Sequence, residues 1–159
     1  MRNLVATPVV LAFLALPVAL GAQAPDPWMG TWKLNIAKST YSPGPPPMTP
    51  IVSSWESLGG GQFKQSQDGV DAKGQKVHNE VVLRFDGADY PFTGTLQPTT
   101  RSYKRIDARS FEYVVKVNGK VTSTNLVVVA PDGKTRTITQ TGVNAQGQPI
   151  KNVMLWEKQ

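Results

Sequence analysis

Residues 110–129, SFEYVVKVNGKVTSTNLVVV, contain the strongest single indication of the fold. Asn118-Gly119 separates two runs rich in β-branched and aromatic residues, Ser110–Val117 and Lys120–Val129. Asparagine and glycine both accept positive φ, so this dipeptide favours a two-residue hairpin turn. Side chains in the first run alternate with period two, and one face carries Phe111, Tyr113, Val115 and Val117. The stretch therefore predicts an antiparallel hairpin with one buried face.

The same pattern of short β-type runs extends in both directions along the chain. Asp86-Gly87 and Asp132-Gly133 are weaker turn signals of the same kind. No segment after residue 25 has a helical period, and residues 35–41 are predicted to form one turn at most. The predicted strands are Thr31–Asn35, Ile51–Leu58, Gln62–Gln67, Lys76–Phe85, Tyr90–Thr93, Thr99–Ile106, Ser110–Val117, Lys120–Val129, Thr135–Val143 and Pro149–Lys158. They predict an all-β fold, an antiparallel up-and-down β-barrel of about eight to ten strands, with a sandwich as the alternative.

Two segments between the strands have distinctive sequences. The proline segment (residues 42–50, SPGPPPMTP) is predicted to be stiff and extended, because proline fixes φ and lacks an N–H. Residues 69–75, GVDAKGQ, return as residues 142–148, GVNAQGQ, and Asn79 and Asn152 keep the same offset. We interpret this echo as a repeated hairpin; the alternative is convergence on the few residues that suit tight loops.

Residues 1–24 are predicted to be a secretory signal peptide. Arg2 precedes an apolar run, Leu4 to Leu20, which ends in small residues. A membrane anchor is the alternative, but the run is marginal in length and contains two prolines. Pro25 disfavours cleavage after Ala24, so cleavage after residue 21 or 22 remains open. Residues 25–159 then form a single β-barrel domain, with periplasmic or secreted localisation and no membrane insertion after cleavage.

Composition excludes several classes of function. The formal charge is +6, but lysine and arginine are dispersed, which indicates solubility rather than nucleic-acid binding. The absence of cysteine excludes disulfides, thiol nucleophiles, cysteine metal sites and lipidation at a processed cysteine. His78 and Glu80 point the same way on a strand, but a metal site needs a third ligand. No nucleophile elbow, phosphate loop or dinucleotide fingerprint is present. We expect no enzyme activity, no catalytic residue, no metal and no cofactor.

Both ends of the predicted barrel resemble a known family. Residues 28–34, WMGTWKL, resemble the first strand of the calycins, the superfamily of lipocalins and fatty-acid-binding proteins, and residues 155–158, LWEK, are similar to the last strand of the fatty-acid-binding branch. The resemblance implies a barrel with a cavity for a small apolar ligand and structural roles for Gly30 and Trp32 at the closed end. The chain as a whole also resembles small secreted bacterial proteins of this layout, which implies no particular function.

The chain also departs from that family. Fatty-acid-binding proteins have a helix pair after the first strand, where this chain has its proline segment. Their Arg-x-Tyr pair on the last strand binds a carboxylate, and Met154 and Trp156 stand at those positions here. The disulfide and the later arginine motif of lipocalins are missing. The family's head-group site is therefore not carried over.

Candidate ligand-binding residues come from the polar positions of the strands. Arg101, Tyr103 and Arg105 alternate on one strand face and are suited to bind a carboxylate or phosphate; the alternative is a solvent-exposed face. Arg84 and Arg136 are substitutes, and Trp55 is the aromatic residue expected to line a cavity, unless it is ordinary core. Two functions remain: a carrier of a small apolar or amphipathic molecule, and a non-enzymatic envelope structural or interaction module with a filled barrel. A cavity of roughly 300 Å³ or more favours the carrier.

Overall fold

The computed structural model describes residues 26–144 and 146–159, so the predicted signal peptide lies outside the described residues. Ten strands follow one another: β1 (Gly30–Thr40), β2 (Val52–Gly59), β3 (Gln62–Val70), β4 (Lys76–Leu83), β5 (Asp86–Gly94), β6 (Thr99–Arg105), β7 (Ser110–Val117), β8 (Lys120–Val129), β9 (Thr135–Val143) and β10 (Pro149–Lys158). Each strand pairs antiparallel with its chain neighbours, and β1 also pairs with β10 and closes the sheet. The predicted antiparallel up-and-down barrel is confirmed. In the part of the chain so described, no helix has the length and apolar character needed to cross a membrane.

The central hairpin has the geometry that its sequence predicts. Asn118 and Gly119 both have positive φ, 49° and 75°. Phe111 and Tyr113 on β7 are buried, and Val127 on β8 is buried opposite Phe111. Alternation therefore assigns the inward and outward faces correctly along this hairpin.

The largest differences from the predicted strand boundaries lie in β1 and β5; β3 also ends three residues later and β4 two residues earlier than predicted. In place of a turn at residues 35–41, β1 continues to Thr40 through a bulge: Asn35 pairs with Leu155, whereas Thr40 pairs with Val153. Polar side chains hold the extra residues, since Ser39 Oγ donates to the Asn35 carbonyl (2.6 Å) and accepts from the Leu155 N–H (2.9 Å). The Asp86-Gly87 dipeptide likewise lies within β5 at an irregularity in the pairing, not in the turn before it.

The up-and-down order gives the barrel two distinct ends. The closed end contains residues 26–29 and the connections at residues 60–61, 84–85, 106–109 and 130–134. The open end contains the proline segment and the connections at residues 71–75, 95–98, 118–119 and 144–148.

Large aromatic side chains fill the closed end. Trp28 and Trp32 are completely buried, and the Trp32 indole N–H donates to the Trp28 carbonyl at 2.9 Å. Lys158 Nζ lies 5.2 Å from the centre of the Trp32 ring and donates to the Pro27 carbonyl at 3.4 Å. Gly30 has a φ of 93°, which glycine adopts without strain. These contacts fix the N-terminal segment across the end of the barrel.

The sequence echo corresponds to a repeated hairpin loop. Asp71 Oδ1 accepts from the backbone N–H groups two and four residues later, at 2.8 and 2.9 Å. Asn144 Oδ1 makes the same two bonds in the β9–β10 loop, at 3.0 and 2.9 Å. Gly74 and Gly147 have φ values of 79° and 75°. The two hairpins thus share the side-chain capping and backbone conformation that their sequences share.

Candidate functional site

The interior of the barrel contains a network of uncharged polar side chains. The Tyr103 hydroxyl donates to Gln65 Oε1 at 2.9 Å, and Gln65 Nε2 donates to Ser53 Oγ at 3.3 Å. On the opposite wall, Asn125 Nδ2 donates to Ser123 Oγ at 3.1 Å. All five residues are buried. Because these buried polar groups bond to one another, they fix the arrangement of the surrounding side chains.

The β6 face that carries Arg101, Tyr103 and Arg105 points into the barrel. Tyr103 is buried and packs edge-on against Trp55, with ring centroids 6.1 Å apart. Burial raises the pKa of Tyr103 far above its ordinary value, so its hydroxyl stays protonated and donates. Arg101 and Arg105 are four residues apart, which corresponds to about 13 Å along a strand, so they lie at different depths. This face therefore does not bring its two guanidiniums to one site.

Arg101 is half-buried and forms no ion pair with any of the described residues. Its Cζ lies 3.4 Å from the centre of the Phe92 ring and 5.5 Å from that of Tyr113. Nη2 donates to Gln67 Oε1 at 3.4 Å, whereas Nε and Nη1 are buried and have no partner within the described residues. The aromatic rings fix the guanidinium plane, and two N–H directions remain available for an acceptor.

Arg105 and Arg84, both predicted as ligand-binding residues, lie elsewhere. Arg105 stands at the closed end, where Nη1 and Nη2 contact the two Asp26 carboxylate oxygens at 2.9 and 2.8 Å, and its Cζ lies 4.5 Å from the Trp28 ring centre. Arg84 is exposed and donates to the Gly60 carbonyl. Both fall outside the interior site because Arg105 already has an anionic partner and Arg84 follows the last inward position of β4.

Arg136 is the second interior arginine. It is 2% exposed, and its Cζ lies 4.8 Å from the Trp32 ring centre and 5.0 Å from that of Trp156. Burial lowers the pKa of Arg136 to about 9, and no ion pair within residues 26–144 and 146–159 compensates for that burial. Burial raises the pKa of Tyr113, and the positive charges of Arg101 and Arg136 partly offset this rise. Tyr113 therefore lies close to both guanidiniums.

Unpartnered donors in the interior greatly outnumber unpartnered acceptors. The buried nitrogen atoms that lack a partner among the described residues are Nε and Nη1 of Arg101, Nε of Arg136, and Nε1 of Trp28, Trp55 and Trp156. Three buried oxygen atoms also lack a partner there: Asn125 Oδ1, which only accepts, and the hydroxyls of Tyr41 and Thr99, which both donate and accept. Buried donors are normally satisfied, and an orphan costs about 1–3 kcal/mol. A molecule that supplies acceptor atoms would relieve this imbalance.

A cavity of about 420 Å³ lies at the open end, beneath the proline segment. Its walls are Pro45, Pro46, Pro47 and Met48 on one side and the β3–β4 hairpin, with Ile51 and Leu96, on the other. Gln67 and Asn79 also line it, and Gln67 is the residue that accepts from Arg101. The cavity is thus an apolar chamber with a polar floor that leads to the Arg101 guanidinium. Its volume exceeds the roughly 300 Å³ that distinguishes a ligand site.

None of the sequence-based candidates lines this chamber; they lie deeper in the barrel or at its closed end. Trp55 is buried in the aromatic cluster, where its ring lies 5.3 Å from that of Phe111, so it forms core rather than a cavity wall. Gly30 and Trp32 lie at the closed end. Phe92, Gln67 and Tyr113 were not predicted, although Tyr113 shares a face with the buried Phe111 and that alternation places it inside.

His78 belongs to an exposed surface cluster outside the chamber. Its Nδ1 lies 2.7 Å from Asp68 Oδ1 and its Nε2 lies 3.7 Å from Glu80 Oε2. The hydrogen bond to Asp68 raises the pKa of His78. The two ring nitrogens face different carboxylates, and the described residues contain no group of three side chains suited to hold a metal ion.

The unliganded protein is expected to be no less stable when Arg136 is replaced by methionine, because an unpaired buried charge is removed while the packing volume is kept. The folded-state pKa of about 9 lies below the unfolded value, so the unfolded state binds more protons above pH 9. The wild type should therefore gain stability relative to Arg136→Met as pH rises from 8 to 10. Urea denaturation of both proteins across this range measures the difference between their free energies of unfolding. If the stability of the wild type relative to Arg136→Met fell as pH rose, the burial of an unpaired cation would be contradicted.

The closed ten-stranded antiparallel barrel, with a tryptophan-filled end and an internal polar site, is a calycin-like fold. A mutant of the fluorescent protein UnaG has a crystal structure similar to this chain, with a TM-score of 0.57 and 13% sequence identity, over 84% of this chain and 96% of that one. At this identity the likeness concerns the fold. No family model matches the chain, and no curated protein does.

Proposed function

We propose that this protein is a non-enzymatic carrier of a small amphipathic molecule with an acidic end. The observation that carries the proposal is the position of Arg101. It donates to Gln67 in the floor of the 420 Å³ chamber, and its buried Nε and Nη1 have no partner among the described residues. The calycin-type barrel is a fold suited to ligand binding, and the proposal adds the chemistry of the ligand.

The two parts of the ligand would have separate binding surfaces. Its apolar body would lie between the proline segment and the β3–β4 hairpin, where burial contributes about 25 cal/mol per Å². Its carboxylate or phosphate would accept from Arg101 Nε and Nη1, whose plane is fixed by Phe92 and Tyr113. A charge-assisted contact of this kind orients the ligand and adds about 1.5–3 kcal/mol.

The surrounding network supports an acceptor-bearing ligand. Tyr103 and Gln65 bond to one another and thus keep the space next to the chamber uncharged. The buried residues among those described include no aspartate or glutamate. The two carboxylates that line the chamber, Asp68 and Asp71, bond to His78 and to the backbone of their own loop. Arg136 would add attraction from deeper in the barrel.

The filled-barrel envelope module remains the second candidate, because one observation favours it. The closed half is packed with aromatic rings: Phe85 lies 5.3 Å from Phe111, 5.4 Å from Phe63 and 6.2 Å from Tyr103. The carrier proposal therefore locates the ligand in the open half alone. A protein that binds no amphipathic molecule at all would leave the module as the better account.

Replacement of Arg101 by methionine should weaken binding of a long-chain carboxylic acid about 10- to 100-fold, because the charge-assisted contact is lost. Binding of the methyl ester of the same acid should change little. Arg84→Met is the matched control, since Arg84 is exposed and outside the chamber, and it should change neither affinity. Fluorescence titration of the wild type and both variants measures all six affinities. Equal losses in the two variants, or an equal loss of acid and ester in Arg101→Met, would refute the role of Arg101.

We also propose that the carrier acts in the periplasm or outside the cell. The support is the sequence of residues 1–24, with its basic start, apolar run and small residues. Intact-mass measurement of exported protein should find these residues removed; exported material that retains them would contradict the proposal.

A further inference from the structure

Exposed apolar side chains surround the mouth of the chamber. Met48 in the proline segment is 77% exposed, and Leu96 in the β5–β6 connection is 51% exposed. Val70 and Val143, at the ends of β3 and β9, and Val121 on β8 are exposed as well. Single exposed apolar residues are ordinary, but a group around a cavity mouth indicates a contact surface.

The open end is also cationic. Lys73, Lys76, Lys120 and Lys151 lie in or beside its turns, and none forms an ion pair within the described part of the chain. Two carboxylates lie nearby, Asp71 in its own loop and Asp68 beside His78, so the four lysines exceed them by two charges. The turns of the closed end instead carry equal numbers of positive and negative side chains: Arg84, Asp86, Asp107, Arg109, Asp132 and Lys134. The molecule is therefore electrically polarised along the barrel axis.

We propose that the open end docks on an anionic phospholipid surface. The open-end lysines would lie among the headgroups, and Met48 and Leu96 would enter the interface between headgroups and acyl chains. The mouth of the chamber would then face the bilayer. Transfer of an amphipathic ligand across this contact rests on the proposed function, whereas the docking itself does not.

A lipid surface fits this rim better than a folded protein partner does. The apolar side chains come from five separate strands and turns and are interspersed with lysines, so they form no continuous flat face of the kind that a protein interface buries. A fluid anionic surface accommodates such spaced side chains and is attracted by the dispersed positive charge. Each rim residue can enter the interface independently of its neighbours.

Fluorescent labels at single introduced thiols test the orientation. The chain has no cysteine, so Met48→Cys and Leu96→Cys each provide one labelling site in the full-length protein. Leu58→Cys and Ile106→Cys, 49% and 56% exposed at the closed end, are matched controls. With vesicles of phosphatidylcholine and phosphatidylglycerol in equal parts, the fluorescence emission of labels at positions 48 and 96 should shift to the blue and become brighter. The emission of labels at positions 58 and 106 should not change. Vesicles of phosphatidylcholine alone should produce no shift, and high salt should reverse it.

Charge variants test the electrostatic part. Lys73→Gln with Lys76→Gln should weaken vesicle binding about fivefold per lysine, roughly 25-fold together. Arg109→Gln with Lys134→Gln removes the same charge from the closed end and should change binding little. Equal losses in the two pairs, equal shifts of all four labels, or no shift at 48 and 96 would each overturn the docking proposal. These measurements contain no ligand, so their failure is distinct from a failure of the carrier function.

Discussion

Gly142→Ala should lower the free energy of unfolding by about 3 kcal/mol or more, because the strands leave no room for a side chain there. A Cβ at Gly142 would lie 2.7 Å from Ser123 Cα and still closer to the Thr122 carbonyl oxygen. The cause is a bulge in β8: Val115 pairs with Ser123 and Lys116 with Val121, so Thr122 is an extra residue that approaches β9. The clash involves backbone atoms, which cannot move without opening the β8–β9 pairing.

Gly69 provides a matched control for this substitution. It occupies the equivalent position in the repeated hairpin, 73 residues earlier, and a Cβ there would meet Ile51 Cγ1 at an ordinary 3.7 Å. Gly69→Ala should therefore be nearly neutral. Chemical denaturation of both variants measures the contrast, and a Gly142→Ala protein as stable as Gly69→Ala would show that β8 and β9 are not packed as described.

Trp32→Ala should cost about 3–5 kcal/mol, the range for truncation of a fully buried aromatic side chain. The indole fills the closed end and donates to the Trp28 carbonyl. Its ring centre lies 4.8 Å from the Arg136 Cζ and 5.2 Å from the Lys158 Nζ. Its removal leaves a cavity and frees both cations.

Trp32→Phe separates the contribution of an aromatic ring from that of the indole N–H. It keeps a ring at the closed end but loses the N–H donor and part of the volume. It should cost clearly less than the alanine variant. Denaturant midpoints report both values. An unchanged midpoint in Trp32→Ala would mean that the closed end is not the structural base of the barrel.

Most of the fold could be predicted because local chemistry specifies it. Turn residues with positive φ mark the hairpins, and period-two alternation separates the two faces of each strand. The bulge in β1 could not be predicted, because it depends on Ser39 bonding to Leu155, far away in the sequence. The displaced start of β5 has a similar origin, since β6 sets the pairing of that strand.

The site was predicted less completely, because alternation defines two faces without saying which one points inward. On β6 both faces are polar, so the inward position of Arg101 is evident only in the closed barrel. A signal for Arg136 was present but unused: it shares a strand face with Ile138 and Gln140 opposite a row of threonines. The repeat offset also aligns Arg136 with the buried Phe63. Partners such as Phe92 and Gln67 come from other strands, and no local pattern joins them to Arg101.

Titration of the wild-type protein with a long-chain carboxylic acid and with its methyl ester tests the carrier account most directly. The four tryptophans of the chain provide a fluorescence readout without any label. The account predicts one-to-one binding of the acid, at least about tenfold tighter than that of the ester, because the ester cannot form the charge-assisted contact with Arg101. Equal affinities would contradict the Arg101 site. Failure of both molecules to bind at high micromolar concentration would contradict the carrier function itself and favour the filled-barrel module.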